Sequence, residues 1–233
     1  AYAMTGQTDY DAVTAIAVGG QGLTTNFTLD FLSKFPQVTL LSISNNNVTF
    51  LEIPSNLNIL ILAVSGNSNL VAIVGLEYQT SLKEFYLQEA GFTNIDFAVF
   101  QSLEKLNLQQ TAITDISSIN SITTLKQLTT AYNSQIIDKT LDISNLINLE
   151  TLKARSSAFV NLDISNNVNL NNLQLQYNEF TSAVNSQFLI DLDGHGLSNG
   201  YFSSTIFGGG TLTTAGLAAK AALLLKGWTI VGL

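Results

Sequence analysis

The stretch Leu170-Asn171-Asn172-Leu173-Gln174-Leu175-Gln176-Tyr177-Asn178 decides how this chain folds. Apolar residues take its first, fourth and sixth places, and an Asn closes it at the ninth. Leu173 and Leu175 alternate with polar residues, which is the mark of a short strand with one buried side, because successive strand side chains point to opposite faces. The same order of residue types stands at Val38/Leu41/Ile43/Asn46, Ile59/Leu62/Val64/Asn67, Leu82/Phe85/Leu87/Ala90 and Leu103/Leu106/Leu108/Thr111. It returns at Leu125/Leu128/Thr130/Asn133 and Leu149/Leu152/Ala154/Ser157. The second anchors, 41, 62, 85, 106, 128, 152 and 173, are separated by 21, 23, 21, 22, 24 and 21 residues.

Seven copies at that period define a leucine-rich repeat. The expected fold is α/β: a leucine-rich-repeat solenoid with a parallel concave β-sheet, an irregular or 3₁₀ convex side, and a cap at both ends. Asn46, Asn67, Asn133 and Asn178 suit a ladder in which each side-chain amide bonds turn backbone. Ala90, Thr111 and Ser157 do not, so the ladder is expected to be interrupted. Behind each turn a second apolar group follows, as in Val48/Leu51/Ile53 or Phe159/Leu162/Ile164, to fill the core from the convex side. These segments are too short and too rich in Asn, Thr and Ser for regular helices. Asp and Ser in the runs Leu141 to Asn145 and Leu162 to Asn166, both Leu-Asp-Ile-Ser-Asn, read as turn formers.

The whole chain, 1–233, reads as a single solenoid domain: residues 1–37 an N-terminal cap, 38–184 the seven repeats, and 185–233 a C-terminal cap. The N-terminal cap holds a degenerate repeat at Val13/Ile16/Val18/Gln21 and a short helix ending at Pro36. In the C-terminal cap the expectation is a helix near Ser186 to Leu192, a Gly-rich turn over Asp193 to Gly200 and a hairpin through Gly208-Gly209-Gly210. A helix from Thr214 to Lys226 and a last strand from Trp228 to Val231 complete it.

Composition narrows the function. With 46% hydrophobic and 11% charged residues, and a mean hydropathy of +0.27, the chain is too apolar to be disordered. No run reaches the roughly 18 apolar residues of a membrane span. The net charge of −8 argues against nonspecific nucleic-acid binding. There is no Cys, so the redox compartment is open. The chain starts at Ala1 without an initiator Met or a charged-then-apolar leader, which reads as a processed chain or a piece of a longer one.

Signs of catalysis are few. His195 is the sole histidine and has no Gly-x-Ser-x-Gly elbow, and Gly19-Gly20-Gln21-Gly22 lacks the Lys-Ser/Thr ending of a phosphate loop. The reading is therefore noncatalytic, with no cofactor. Asp191-Leu192-Asp193-Gly194-His195-Gly196 partly matches a calcium loop, which makes Asp191 and Asp193 a metal candidate. His at the fifth place and Phe202 at the twelfth favour a plain Gly-rich turn.

Strand alternation places Glu84, Tyr86, Gln88, Lys105, Asn107, Gln109, Gln127, Thr129, Lys153, Arg155, Gln174 and Gln176 on the concave face as the ligand-binding candidates. Ser42, Ala63, Ala131 and Thr151 fall on the same side. Three of the nine basic residues, Lys105, Lys153 and Arg155, lie there and could attract an acidic partner. Tyr86, with Tyr132 and Tyr177 at strand ends, adds amphipathic rings of the kind enriched at interfaces. Amides with Tyr also suit sugars.

The repeats, the Leu-Asp-Ile-Ser-Asn runs and the tail Ala218-Ala219-Lys220-Ala221 followed by Lys226-Gly227-Trp228-Thr229-Ile230 carry a family resemblance. Over nearly its whole length the chain resembles leucine-rich-repeat proteins of Bacteroidetes-type bacteria, which occur on cell surfaces and in virions of phages infecting such bacteria. That resemblance implies attachment or protein recognition, in an extracellular, cell-surface or virion location. The expected function is a binding or adhesion module that takes a protein or surface glycan on its concave face, without nucleic acid or membrane insertion. A structural subunit of a phage virion or cell-surface assembly, packed against neighbouring subunits, is the alternative.

Overall fold

A computed structural model of the chain describes residues 10–24 and 28–233, apart from the side chains of Asp11 and Leu29. Residues 1–9 and 25–27 of the expected N-terminal cap lie outside the described residues. The fold is a leucine-rich-repeat solenoid, and it divides into two compact units: Ala1–Ile95 with Val99–Ala112, and Asp96–Ala98 with Ile113–Leu233.

In the first unit, five strands lie parallel in chain order: β1 (Ala15–Ala17), β2 (Leu40–Ser42), β4 (Ile61–Ala63), β6 (Glu84–Tyr86) and β7 (Lys105–Asn107). Their register stacks Ile16, Leu41, Leu62, Phe85 and Leu106 in one buried column. The degenerate repeat therefore contributes a full strand. Behind this sheet, β3 (Phe50–Glu52) and β5 (Ala72–Val74) pair in parallel. The short helix α1 (Leu29–Leu32) precedes Pro36 as expected.

The second unit repeats the plan with β8 (Gln127–Thr129), β10 (Thr151–Lys153), β12 (Asn172–Gln174), β13 (Tyr201–Ser203) and β14 (Thr229–Val231), all parallel. Its inward column is Leu128, Leu152, Leu173, Phe202 and Ile230. Two-residue strands β9 (Thr140–Leu141) and β11 (Asn161–Leu162) pair behind it, with a 3₁₀ turn at Ser117–Ser121, and further 3₁₀ turns occur at Phe97–Val99 and, in the first unit, at Leu76–Tyr78. This is the irregular outer side that the residue types suggested.

Turn chemistry holds the repeats together. Seven residues, Asn45, Gly66, Glu89, Gln110, Tyr132, Ser156 and Tyr177, have φ between 54° and 69°. Each sits one place before the ladder position. The left-handed turn delivers the next side chain inward: Asn67 Nδ2 donates to the Ile43 and Val64 carbonyls at 3.0 and 2.9 Å, and its Oδ1 accepts from Val48 N–H. Asn178 does the same with Ala154 and Leu175 carbonyls and with Ser157 and Phe159 N–H groups. The expected interruption at Ser157 and Thr111 is corrected. Ser157 Oγ donates to the Thr130 carbonyl at 2.7 Å and accepts from Asn133 N–H, and Thr111 Oγ1 donates to the Leu108 carbonyl. A hydroxyl both donates and accepts, so it serves part of the amide's role. Ala90 alone brings no polar atom to that column.

The C-terminal cap departs from expectation in two places. Helix α2 spans Ser182–His195, capped by Thr181 and ended by Gly196 at φ 77°, so the segment over Asp193 to His195 is helix and not turn. There is no hairpin at Gly208-Gly209-Gly210, because β13 is parallel to both neighbours. Parallel strands need a crossover of a dozen or so residues, usually a helix. α2 supplies one and α3 (Thr214–Leu225) the other. Phe180, Phe188 and Phe202 stack edge to face inside, and Trp228 Nε1 donates to the Leu197 carbonyl. Its ring lies so close over Gly200 that an added Cβ would come within 2.5 Å of it.

Candidate functional site

On the first unit's sheet, Glu84, Tyr86, Gln88, Lys105, Asn107 and Gln109 stand together on the solvent side, each half-buried. Register explains their contacts, since Glu84 pairs with Lys105 and Tyr86 with Asn107 across adjacent strands. Lys105 Nζ meets Glu84 Oε1 at 2.8 Å, and Tyr86 Oη donates to Glu84 Oε2 at 2.7 Å. Lys105 foremost, with Tyr86, holds the Glu84 carboxyl below its ordinary range. Burial first, and the Glu84 carboxylate second, push Tyr86 up to about 12. Lys83 and Glu104 repeat the pairing one residue earlier, at 3.2 Å. Amides close the rest: Asn107 Oδ1 accepts from Gln109 N–H at 3.0 Å, and Asn107 Nδ2 reaches Gln88 Oε1 at 3.5 Å. Lys105 is thus neutralised within its own unit.

The second unit's sheet brings together Gln127, Thr129, Lys153, Arg155, Gln174 and Gln176 on the same side. Here Lys153 has Thr129 and Gln174 as lateral neighbours. Among the described residues no carboxylate lies within salt-bridge distance of Lys153 or Arg155. The Arg155 guanidinium carbon stands 5.2 Å from the centroid of the Tyr132 ring, and Tyr132 N–H donates to the Arg155 carbonyl at 2.8 Å. Backbone and side chain hold the pair at once, so the cation is oriented without losing its charge. Tyr132 and Tyr177 are 43% and 73% exposed. Ala131, expected on this face, is buried.

The repeat register contained the distinction between Lys105 and Lys153, because a shift of one repeat makes positions 84 and 105 lateral neighbours on parallel strands. Reading each strand alone missed it. Also missed were Glu89, Gln110 and Ser156, which the left-handed turns hold at the strand ends. Their signal was the fixed place one residue before the ladder.

The metal candidate is corrected. Asp191 and Asp193 lie on α2, where residues two apart do not share a face, so they cannot converge on one cation. Asp193 Oδ1 meets Lys226 Nζ at 2.6 Å, and Asp191 accepts from Gln187 Nε2. Burial above all raises the Asp191 carboxyl. His195 Nε2 sits 3.4 Å from the Ser165 carbonyl, tying the helix end to a convex turn. No group of three His, Asp or Glu residues able to hold a metal ion occurs among the described residues. No helix among them is long and apolar enough to cross a membrane.

Parallel strands at a period of about one turn, an Asn ladder and 3₁₀ outer segments define the leucine-rich-repeat class. Solved structures agree on that fold. The chain is similar to the functional domain of InlJ from Listeria monocytogenes, at TM-score 0.73 and 21% identity over 90% of this chain and 48% of that one. It is similar to a leucine-rich-repeat protein of Leptospira interrogans, at TM-score 0.66 and 18% identity over 91% and 52%. Internalin C2 of Listeria monocytogenes matches at TM-score 0.60 and 22% identity over 74% and 75%. The chain spans about half the length of the first two. No protein-family model matches it, and no curated protein does.

Proposed function

We propose that this chain is a noncatalytic binding module whose sheet face recognises an acidic group on a protein or surface glycan. The observation that carries this reading is the pair Lys153 and Arg155, uncompensated in a protein of net charge −8 and bordered by Tyr132 and Tyr177. An unpaired, oriented guanidinium beside exposed aromatic rings suits a carboxylate or sulfate, with Gln174 and Gln176 available for hydroxyl or amide groups of the same ligand. The likeness to InlJ and internalin C2 supports a recognition role through the shared fold. The family resemblance supports a location outside the cell, on a Bacteroidetes-type surface or a phage particle.

The test is retention of the purified chain on polysaccharide and protein extracted from such surfaces, with Lys153→Ala/Arg155→Ala as comparison. Retention that falls at least about tenfold in the double variant supports the reading. Equal retention of both proteins contradicts it. A structural role in an assembly is the second reading, favoured by the apolar outer side of α3.

A further inference from the structure

Helix α3 has two apolar sides. Gly216, Ala219 and Leu223 are buried, with Gly216 so close to Ser186 of α2 that an added Cβ would lie 2.6 Å from its side chain. On the opposite side Leu217, Leu224 and Leu225 are 53%, 51% and 91% exposed, and Ala218 and Ala221 are exposed between them. A cap helix normally turns a polar side to water, and a helix apolar all round belongs inside a packed structure. This outer strip has no ionisable residue. The helix's one cation, Lys220, lies at its flank and donates to the Leu233 carbonyl at 2.5 Å.

The spacing of the strip suits a second copy of itself. Measured from Ala221, the exposed Leu217, Ala218, Leu224 and Leu225 stand at −4, −3, +3 and +4, and Thr214 is exposed on the same side at the start of the helix. That arrangement is symmetric about Ala221, so a second α3 turned end for end presents the same strip in reverse. Leu217 then meets Leu225 of the other copy, Ala218 meets Leu224, and the two Ala221 residues face one another on the axis. Small residues at the centre let helices approach near the close end of the roughly 8 to 10 Å packing range, with leucines outside filling the gaps. The strip carries no charge, so the facing side chains of two copies meet there without direct repulsion, although the net charge of −8 on each copy weakens the association.

We propose that α3 is a self-association surface that pairs two copies of this chain about a two-fold axis through Ala221. The three exposed leucines offer on the order of 400 Å² of apolar side chain per copy, about half of what a standard interface takes from each partner. The dimer is therefore reversible and concentration-dependent. It is independent of the sheet-face reading, since it uses neither Lys153 nor Arg155.

Sedimentation velocity of the full chain over a wide micromolar range tests it. The expected result is a monomer–dimer equilibrium that Ala221→Glu weakens at least about tenfold, because two carboxylates then meet on the axis. Circular dichroism and the melting temperature of that exposed-site variant show whether its fold is kept. The sequence has no Cys, so Ala221→Cys supplies a second readout. It should form a disulfide-linked dimer on mild oxidation, while Ala215→Cys, exposed but off the strip, should not. A monomer at every concentration, a dimer indifferent to Ala221→Glu, or equal cross-linking at 215 and 221 would overturn the proposal.

Discussion

On the first unit's sheet Lys105 meets a carboxylate at 2.8 Å, and Tyr86 holds that same carboxylate from its other side. On the second unit's sheet Lys153 has Thr129 and Gln174 as its lateral neighbours, and Arg155 rests against an aromatic ring. Both faces come from one repeat pattern with the same alternation. Their difference shows that the repeat fixes which positions face solvent, and that the residues of neighbouring repeats decide whether a charge there is paired or left open.

The largest effect is expected beneath these faces. Asn178→Ala in the second unit removes four hydrogen bonds and leaves two buried N–H groups unpaired, so it should lower stability by about 3 kcal/mol in chemical denaturation. Thr111→Ala in the first unit removes the hydroxyl that donates to the Leu108 carbonyl and should lower it by about 1 kcal/mol. Equal losses would mean that the ladder is not what holds the turns.

Next comes a transplant of the first face's chemistry into the second. Gln174→Glu sets a carboxylate beside Lys153 as Glu84 is set beside Lys105. Stability should stay within about 1 kcal/mol, as for other exposed ion pairs, while retention on acidic extract falls several-fold. Unchanged retention would show that Lys153 contributes nothing.

The reverse change is Glu84→Gln. The folded-state pKa of Glu84 lies below its unfolded value, so its contribution is fully present above about pH 4.5 and is lost as pH falls through the lowered value. The pair is partly exposed and screened, so this amounts to at most about 1 kcal/mol. Comparing the acid limb of the stability curve for the two proteins should show that difference. The Tyr86 phenol should also titrate below its present value of about 12, measured by ultraviolet absorbance.

The smallest effect concerns the left-handed turns. Glu89→Gly should stabilise by up to about 1 kcal/mol, because φ of 57° is costly for a residue with a Cβ. Tyr132→Gly should gain less, since it also gives up the contact with Arg155. A larger gain at 132 than at 89 would deny that contact any stabilising role.

Much of this was legible in the residues. The seven anchors fall where the inward columns run, from Leu41 to Leu173, because burial of every second strand residue writes itself directly into the pattern. The Asx turns at Asp142 and Asp163, each accepting from the Ser N–H two residues on, were likewise written in their type. What escaped was chemistry between repeats. Ser157 looked like a gap because a hydroxyl's worth in a ladder depends on the carbonyl that the preceding repeat brings within 2.7 Å. The Asp191 to Gly196 motif looked like a loop because glycines near a helix end resemble those of a turn until the cap at Gly196 shows where the helix stops.

We propose that the second unit's face, and not the first's, offers free positive charge to a ligand. It is tested most directly by measuring retention of four proteins on the same acidic surface extract at low and high salt: the unaltered chain, Lys153→Ala/Arg155→Ala, Lys105→Ala, and Glu84→Gln. Salt-sensitive retention is expected to collapse in the double variant, to change less than about twofold in Lys105→Ala, and to rise or hold in Glu84→Gln. Collapse in Lys105→Ala with retention kept in the double variant would contradict it.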